Sequence, residues 1–297
     1  MSPPPLVAIL GPTGVGKTAL SLRLADRWDG EIVSADSRQV YRQLTIGTAK
    51  PTPEELARAP HHFINELDLT DGFSAGRFAE TASARIGDIL RRGRTPIVVG
   101  GSTLYIEALL HGLADIPPTS EATRRRLTAR LDREGAEALF SELQRVDPAS
   151  ASTMDATKSQ RIVRALEVFH DLGKPLSAFH SERTRPRYAF RPFVLTRPRA
   201  ELYERINTRV DAMLDAGLVE ENRRLLEAGV ATDSPPLRTI GYREPMAYLR
   251  GELSYDEMVA RLKQNTRRYA KRQLTWFRRH DTYTWVEAAQ PDSLFLQ

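Results

Sequence analysis

The chain contains no cysteine. Disulfides are excluded, as is any zinc site built on thiolates, and a reducing cytoplasm is the expected compartment. No run of about 18 apolar residues occurs, so no membrane span is expected. The opening MSPPP has no charged segment leading into an apolar one, and no secretory signal is expected from it. No internal repeat or low-complexity stretch stands out, and the six histidines show no ligand spacing. The adjacent pair His61 and His62 reads as structural rather than metal-binding. What is present is an ordinary soluble composition, 41% apolar and 27% charged over 297 residues, enough for a substantial core.

The formal net charge is +5. Its distribution says more than its size. The stretch RLKQNTRRYAKRQLTWFRRH, Arg261 to His280, holds eight Lys or Arg and no acid, with Tyr269, Trp276 and Phe277 among them. Such a helical stripe suits a phosphate backbone with aromatic contacts. Charge alone leaves a second reading open, a solvated face with its aromatics in the core.

Strands and helices alternate in the first third. LVAIL (Leu6–Leu10) reads as a buried strand, Thr18–Trp28 as a helix, EIVSA as a second strand ending at Asp36, and Phe78–Arg92 as an amphipathic helix. PIVVGG follows as a third strand, and another helix starts at Thr103. This order predicts an α/β fold with a parallel sheet. From Asp115-Ile116-Pro117-Pro118 to about Tyr188 the pattern is helical, with segments at Glu121–Glu134, Ala136–Val146 and Ser159–Leu172. Phe190–Pro198 then returns as a strand, followed by helices over Leu202–Ala216 and Val219–Ala228. The expected organisation is a core of residues 1–116 and 189–297 interrupted by a helical insertion, 117–188.

GPTGVGKT (Gly11–Thr18) lies between the first strand and the first helix. It fits the P-loop pattern, which a random chain of this length matches about once in a hundred times. The glycines let backbone N–H groups turn inward around an anion, and the helix adds its positive end. Lys17 supplies a point charge, and Thr18 a hydroxyl suited to Mg²⁺. The third strand ends in Gly100-Gly101 and offers no acid to organise a metal and a hydrolytic water. Only Asp36 ends a strand. That argues against a hydrolytic motor and for a group transferase with Asp36 as base, although position alone equally allows a turn-forming role. A small-molecule kinase and a non-enzymatic RNA-binding module remain alternatives at this point.

Seven segments, taken together in order, carry more. GPTGVGKT, SADSRQVYRQLTIGTAKP (Ser34–Pro51), APHHFI (Ala59–Ile64), VVGGSTLYIEALLHGL (Val98–Leu113), SQRIVRALEV (Ser159–Val168), RTIGYRE (Arg238–Glu244) and AKRQLTWFR (Ala270–Arg278) resemble the tRNA dimethylallyltransferases, the bacterial tRNA isopentenyltransferase family. The resemblance spans nearly the whole chain. It implies a P-loop NTPase-like core with a helical insertion domain, and a monomeric, Mg²⁺-dependent prenyltransferase. That enzyme would move the dimethylallyl group of dimethylallyl diphosphate to N6 of adenosine 37 in the tRNA anticodon stem-loop. The loop would then hold a departing diphosphate, with no ATP split.

The resemblance also implies roles. Gly11, Pro12, Thr13, Gly14, Val15, Gly16, Lys17, Thr18 and Arg209 would bind the donor, with Thr18 on Mg²⁺. Asp36, Lys17, Thr18 and Thr13 would carry the chemistry, with Asp36 taking the proton of the amine. Asp36, Ser37, Arg38, Gln39, Ser102, Arg124, Gln160, Arg161, Ile162, Val163, Arg164, Arg238, Thr239, Ile240, Gly241, Tyr242 and Arg243 would contact the RNA. Ser102 stands where the family more often has threonine and keeps the hydroxyl. Tyr41 and Tyr105 read equally well as core residues.

Overall fold

The structure is a computed structural model and describes residues 6–179, 184–231 and 234–289. It divides into two compact units, one formed by residues up to Leu110 together with those from Pro186 onward, the other His111–Arg185. No helix is long and apolar enough to cross a membrane among the described residues.

The first unit contains, in order, β1 (Leu6–Leu10), α1 (Lys17–Trp28), β2 (Gly30–Ala35), α2 (Pro53–Arg58), β3 (His61–His62), α3 (Ala75–Arg91), β4 (Thr95–Gly100) and α4 (Thr103–His111), whose last residue already belongs to the second unit. The second unit contributes α5 (Glu121–Glu134), α6 (Ala136–Val146), α7 (Pro148–Ala151) and α8 (Ser159–Leu172). The chain then resumes the first unit with β5 (Phe190–Thr196), α9 (Arg199–Asp215), α10 (Leu218–Glu227), α11 (Arg243–Leu249), α12 (Tyr255–Phe277) and β6 (Thr284–Glu287).

The six strands form one parallel sheet in the order β3-β2-β4-β1-β5-β6. β1 and β2, legible from their apolar runs, each pair with β4; β2 is buried throughout and β1 from Ala8 to Leu10. Two strands escaped the sequence reading. β3 is only two residues long and β6 only four, and both are edges. The sheet core joins Ile9, Ile32, Ile97 and Phe193 to Leu20, Leu24, Leu202 and Ile206 of the flanking helices. Tyr105 and Tyr41 are core residues. The Tyr105 ring stacks on Phe78 at 4.4 Å and its hydroxyl donates to the Phe73 carbonyl, while Tyr41 donates to the Asp71 carbonyl.

The helical unit has its own core of Leu127, Leu139, Leu143, Ile162, Ala165 and Leu166. Ser120 caps α5, accepting from the Thr123 N–H at 3.0 Å, and Asp147 caps α7 and also accepts from the Ser177 N–H at 3.0 Å. The unit opens at His111 where the sequence reading has 117. The reason is local: the Thr184 N–H donates to the Leu113 carbonyl at 2.8 Å, so its entering and leaving strands lie side by side.

His62 is structural. Its Nε2 meets the buried Glu31 carboxylate at 2.7 Å and its Nδ1 faces Arg85 at 3.1 Å. Arg92 completes the arrangement with a two-pronged bond to Glu31, 2.8 Å on each arm, and Arg94 adds a third donor. Burial on its own would raise this carboxyl, but the bonds from Arg92 and His62 outweigh it and hold the group below the usual carboxylate range. Glu31 therefore ties β2 to β3 and to the end of α3. Glu31→Gln should cost about 1–3 kcal/mol of stability at neutral pH. A carboxyl depressed in the folded state stabilises fully above its unfolded pKa, and that stabilisation is lost as pH falls through the folded value. The gap between wild type and Glu31→Gln in denaturant unfolding should accordingly close below about pH 4.

Candidate active site

The site stands at the carboxyl ends of three adjacent strands. Leu10 of β1 is level with Gly100 of β4, and Gly100 with Ala35 of β2. The P-loop, the Gly101-Ser102 turn and Asp36 thus leave the sheet from one row. Neighbouring strands are about 4.8 Å apart, so the loop and Asp36 emerge about 10 Å from one another. In open α/β sheets this edge is where ligands bind. A cavity of about 590 Å³ opens there.

Gly11–Gly16 form the cradle. Gly14 and Gly16 have φ of +82° and +109°, which residues with a Cβ rarely adopt. Four of the loop's carbonyls are held by cations. Lys17 Nζ donates to the carbonyls of Gly11 and Pro12, both at 2.9 Å, Arg205 to Gly14 at 3.0 Å and Arg197 to Val15 at 2.9 Å. No side chain caps α1 at Gly16, so its first-turn N–H groups are left to the cavity. That is an anion site by construction. Thr13 and Thr18 line it, Pro12 is buried, and the Val15 side chain packs in the core, contributing through its backbone.

Across the cavity Lys17 faces Arg209 of α9. Burial, then repulsion from Arg209, lowers Lys17 to about 8, with Asp36 opposing. Arg209 is an exposed residue that lines the cavity. Desolvation, followed by repulsion from Arg205, lowers it from its ordinary value. A bound polyanion would relieve two cations held below their normal values on one cavity.

Asp36 has a turn-forming role and a place on the cavity wall. Its Oδ1 accepts from the N–H groups of Arg38 at 2.8 Å and Gln39 at 3.3 Å, so it builds the turn, and it also lines the cavity. Ser102 Oγ accepts from the Ser37 N–H at 3.0 Å, tying that turn to β4. The Gln39 amide donates to the carbonyls of Thr48 and Ala49 at 3.2 and 3.1 Å, closing the loop on itself.

The segments Ser34–Pro51 and Arg238–Glu244, far apart in sequence, are packed back to back. Glu221 of α10 is buried and accepts from the N–H groups of Thr45, Ile46 and Gly47 and from the Tyr242 hydroxyl at 2.7 Å. A Cβ on Gly47 would lie 2.6 Å from the Tyr242 ring, and one on Gly241 2.6 Å from the Gly47 carbonyl. Glycine at both positions is therefore a packing requirement.

This packing corrects part of the expected RNA surface. Arg238, Thr239, Ile240, Gly241 and Arg243 line the cavity with Ser37, Arg38 and Gln39. Tyr242 does not, because it is fully buried against Gly47 and its hydroxyl is taken by Glu221. In the helical unit, Gln160, Arg161 and Arg124 are exposed and Arg164 is partly so. Ile162 and Val163 face that unit's own core instead. Arg164 donates to Glu167 at 2.8 Å and to Thr119 at 2.6 Å.

Three contributors, Arg205, Arg272 and Gln273, were missed as individual residues, whereas Tyr269 was already named in the basic stretch. Arg205 sits one helical turn before Arg209 on α9. Tyr269 and Arg272 of α12 line the cavity, Arg272 5.7 Å over the Tyr269 ring. Burial, then the Asp36 charge, raises the Tyr269 hydroxyl to about 12. Gln273 donates to the Gly101 carbonyl and accepts from the Thr13 N–H. The signal for all three was i, i+4 spacing toward a residue already singled out, or membership of the AKRQLTWFR segment.

Known proteins resemble this chain in both sequence and fold. The family model for IPP transferase matches residues 39–280. A tRNA dimethylallyltransferase of Salinibacter ruber is 56% identical over 287 residues, covering 96% of this chain and 89% of its own, and one of Chlorobium chlorochromatii is 45% identical over 100% and 97%. Among solved structures, the tRNA isopentenylpyrophosphate transferase of Bacillus halodurans is 42% identical with a TM-score of 0.69, over 96% of this chain and 90% of that one. A eukaryotic dimethylallyltransferase described as acting on tRNA is 28% identical with a TM-score of 0.81, over 99% and 78%. Matched in family model, sequence and fold across almost its entire length, the chain belongs to the IPP transferase family.

Proposed function

We propose that this chain transfers the dimethylallyl group of dimethylallyl diphosphate to N6 of adenosine 37 in tRNA, releasing diphosphate. The observation that carries the reading is a single cavity with an uncapped P-loop and Lys17 on one wall and the Asp36 turn on the other. The relatives named as tRNA dimethylallyltransferases support the same chemistry.

An allylic diphosphate ionises at its C1–O bond in proportion to how well the leaving charge is held. Lys17, Arg209 and the first-turn amides of α1 would hold it, with the Thr13 hydroxyl near at hand. Those contacts strengthen as charge builds on the diphosphate, so they favour the transition state over the bound donor. The attacking amine of adenine is weak because its lone pair is delocalised into the ring. As the C–N bond forms at C1, Asp36 would accept the departing proton. One Asp36 oxygen is committed to the Arg38 and Gln39 amides, which fixes the carboxylate's direction; the remaining acceptor capacity is what the amine would use. An adenine stacked in an anticodon loop must be extruded to reach this depth. Arg38, Arg238, Arg243 and Arg272 give the cavity the positive lining that a sugar-phosphate chain requires, and Tyr269 a stacking face.

The residues fit Mg²⁺. Thr18 lines the cavity at the start of α1, and a hard cation that keeps several waters needs few protein oxygens beyond those of a diphosphate. When bound, it would neutralise charge on the diphosphate beside Lys17. A cysteine-free chain fits a reducing cytoplasm.

The test is transfer of label from dimethylallyl diphosphate to unmodified tRNA with Mg²⁺ and no ATP, followed by mass spectrometry of the modified base. Label confined to phosphate released from added ATP would instead indicate a kinase. Asp36→Asn preserves the turn-forming oxygen and removes the base, so single-turnover transfer should fall about 10²- to 10⁴-fold while tRNA affinity is nearly unchanged. An unchanged single-turnover rate would remove Asp36 as the base. Lys17 supplies a second check. Being lowered to about 8, it is cationic below that pH and neutral above it. The KM for donor should therefore rise as pH passes 8, and Lys17→Arg, which stays charged, should flatten that rise even where it lowers the rate.

A further inference from the structure

The basic helix α12 reaches the P-loop through one side chain. Gln273 is buried, with 3% of its surface exposed, and both ends of its amide are used. Its Oε1 accepts from the Thr13 N–H at 3.0 Å, across 260 residues of sequence, and its Nε2 donates to the Gly101 carbonyl at 2.8 Å. The turn it holds at Gly101 continues into Ser102, whose hydroxyl accepts from the Ser37 N–H beside Asp36. A Cβ on Gly101 would lie 2.6 Å from Nε2, so this approach depends on glycine there. A continuous chain of bonds thus runs from the diphosphate cradle through Gln273 to the turn that carries the base.

We propose that Gln273 is a positioning residue that sets the separation between donor and base; the assignment rests on the transferase reading above. Several physical points support it. The Thr13 N–H is the one loop amide given to a side chain, which removes it from the anion nest and orients the loop around the remaining amides. Gln273 also lines the cavity, but with 3% of its surface exposed and its amide bonded at both ends it acts through Thr13 and Gly101. Its neighbours on α12, Tyr269 and Arg272, line the cavity. A shift of α12 on contact with a polyanion would therefore be passed to the P-loop and to the Gly101 turn together.

The experiment compares the full-length wild type with Gln273→Met and Gln273→Glu in label transfer from dimethylallyl diphosphate to tRNA. Methionine matches the length and removes both bonds; glutamate keeps an acceptor for Thr13. Misplacement of reacting groups by about 1 Å costs about 10²-fold. Single-turnover rate at saturating donor and tRNA should thus drop by about that factor in Gln273→Met, and less in Gln273→Glu. In Gln273→Met both KM values should stay within about twofold of wild type, since no charge is added to the cavity. Amide hydrogen exchange over residues 11–18 without ligands should quicken in Gln273→Met. A loss that resides in KM for tRNA, a loss that only follows the unfolded fraction in thermal melts, or unchanged exchange would each overturn the positioning role. A wild type that moves no label to tRNA would overturn the transferase reading itself; an active wild type matched by Gln273→Met would overturn only this inference.

Discussion

The register of three parallel strands governs this molecule. Leu10, Gly100 and Ala35 stand in one row across β1, β4 and β2, so each chain leaves the sheet at the same height. A Cβ on Gly100 would come within 2.3 Å of the Ala35 carbonyl, and glycine there lets the strand ends remain in contact up to the point where they diverge. The cradle, the central turn and the carboxylate are consequences of that row. A slip of one residue in the β1–β4 pairing would reverse the faces of β1 and carry the P-loop away from the Asp36 turn.

Electrostatics then decides what such a site can hold. The cavity wall carries Lys17, Arg38, Arg205, Arg209, Arg238, Arg243 and Arg272 against Asp36 and Glu55. Burial first, and then the opposition of like charges at this density, holds Lys17 and Arg209 below their ordinary values. Lys17 and Arg205 of that wall, together with Arg197, also bond the carbonyls of Gly11, Pro12, Gly14 and Val15. Those bonds hold the loop's backbone in place. Preorganised donors of this kind need little rearrangement as charge develops on a leaving group, and that is where their catalytic value lies.

Much of this was legible in the sequence, for reasons that can be named. β1, β2 and β4 are flanked on both sides by other strands and are written as apolar runs. α5, α6 and α8 have clear stripes and clean breaks, a serine cap before α5 and glycines after α5 and α8. The P-loop is local, eight residues whose purpose is visible without the rest. What escaped was non-local. β3 is a two-residue edge, paired with β2 and tied to it by the contact of Glu31 with His62. Glu221 and Gln273 are buried polar residues, and on a helix such residues look like surface until their partners at Gly47 or Thr13 are known. Tyr242, Ile162 and Val163 sit in segments assigned to RNA by resemblance, and each is apolar or bulky enough to serve the core instead. A motif groups residues that share a place; it does not say which of them face the ligand.

Asp36 illustrates how the structural and chemical readings of one residue can be the same reading. A carboxylate at the end of a strand, with free rotation, would sample directions that have nothing to do with a substrate. Two backbone N–H groups from Arg38 and Gln39 take up one of its oxygens and end that freedom. The same turn is held to β4 by Ser102, and its far end by Gln39 on the Thr48 and Ala49 carbonyls. Behind Thr48 the loop is wrapped on Glu221 and locked against Gly241. Each tie adds little to the chemistry by itself. Together they turn a flexible acid into a fixed acceptor about two strand spacings from the cradle. A transfer between two large substrates requires such a fixed distance, because neither the donor nor the acceptor can be counted on to supply it.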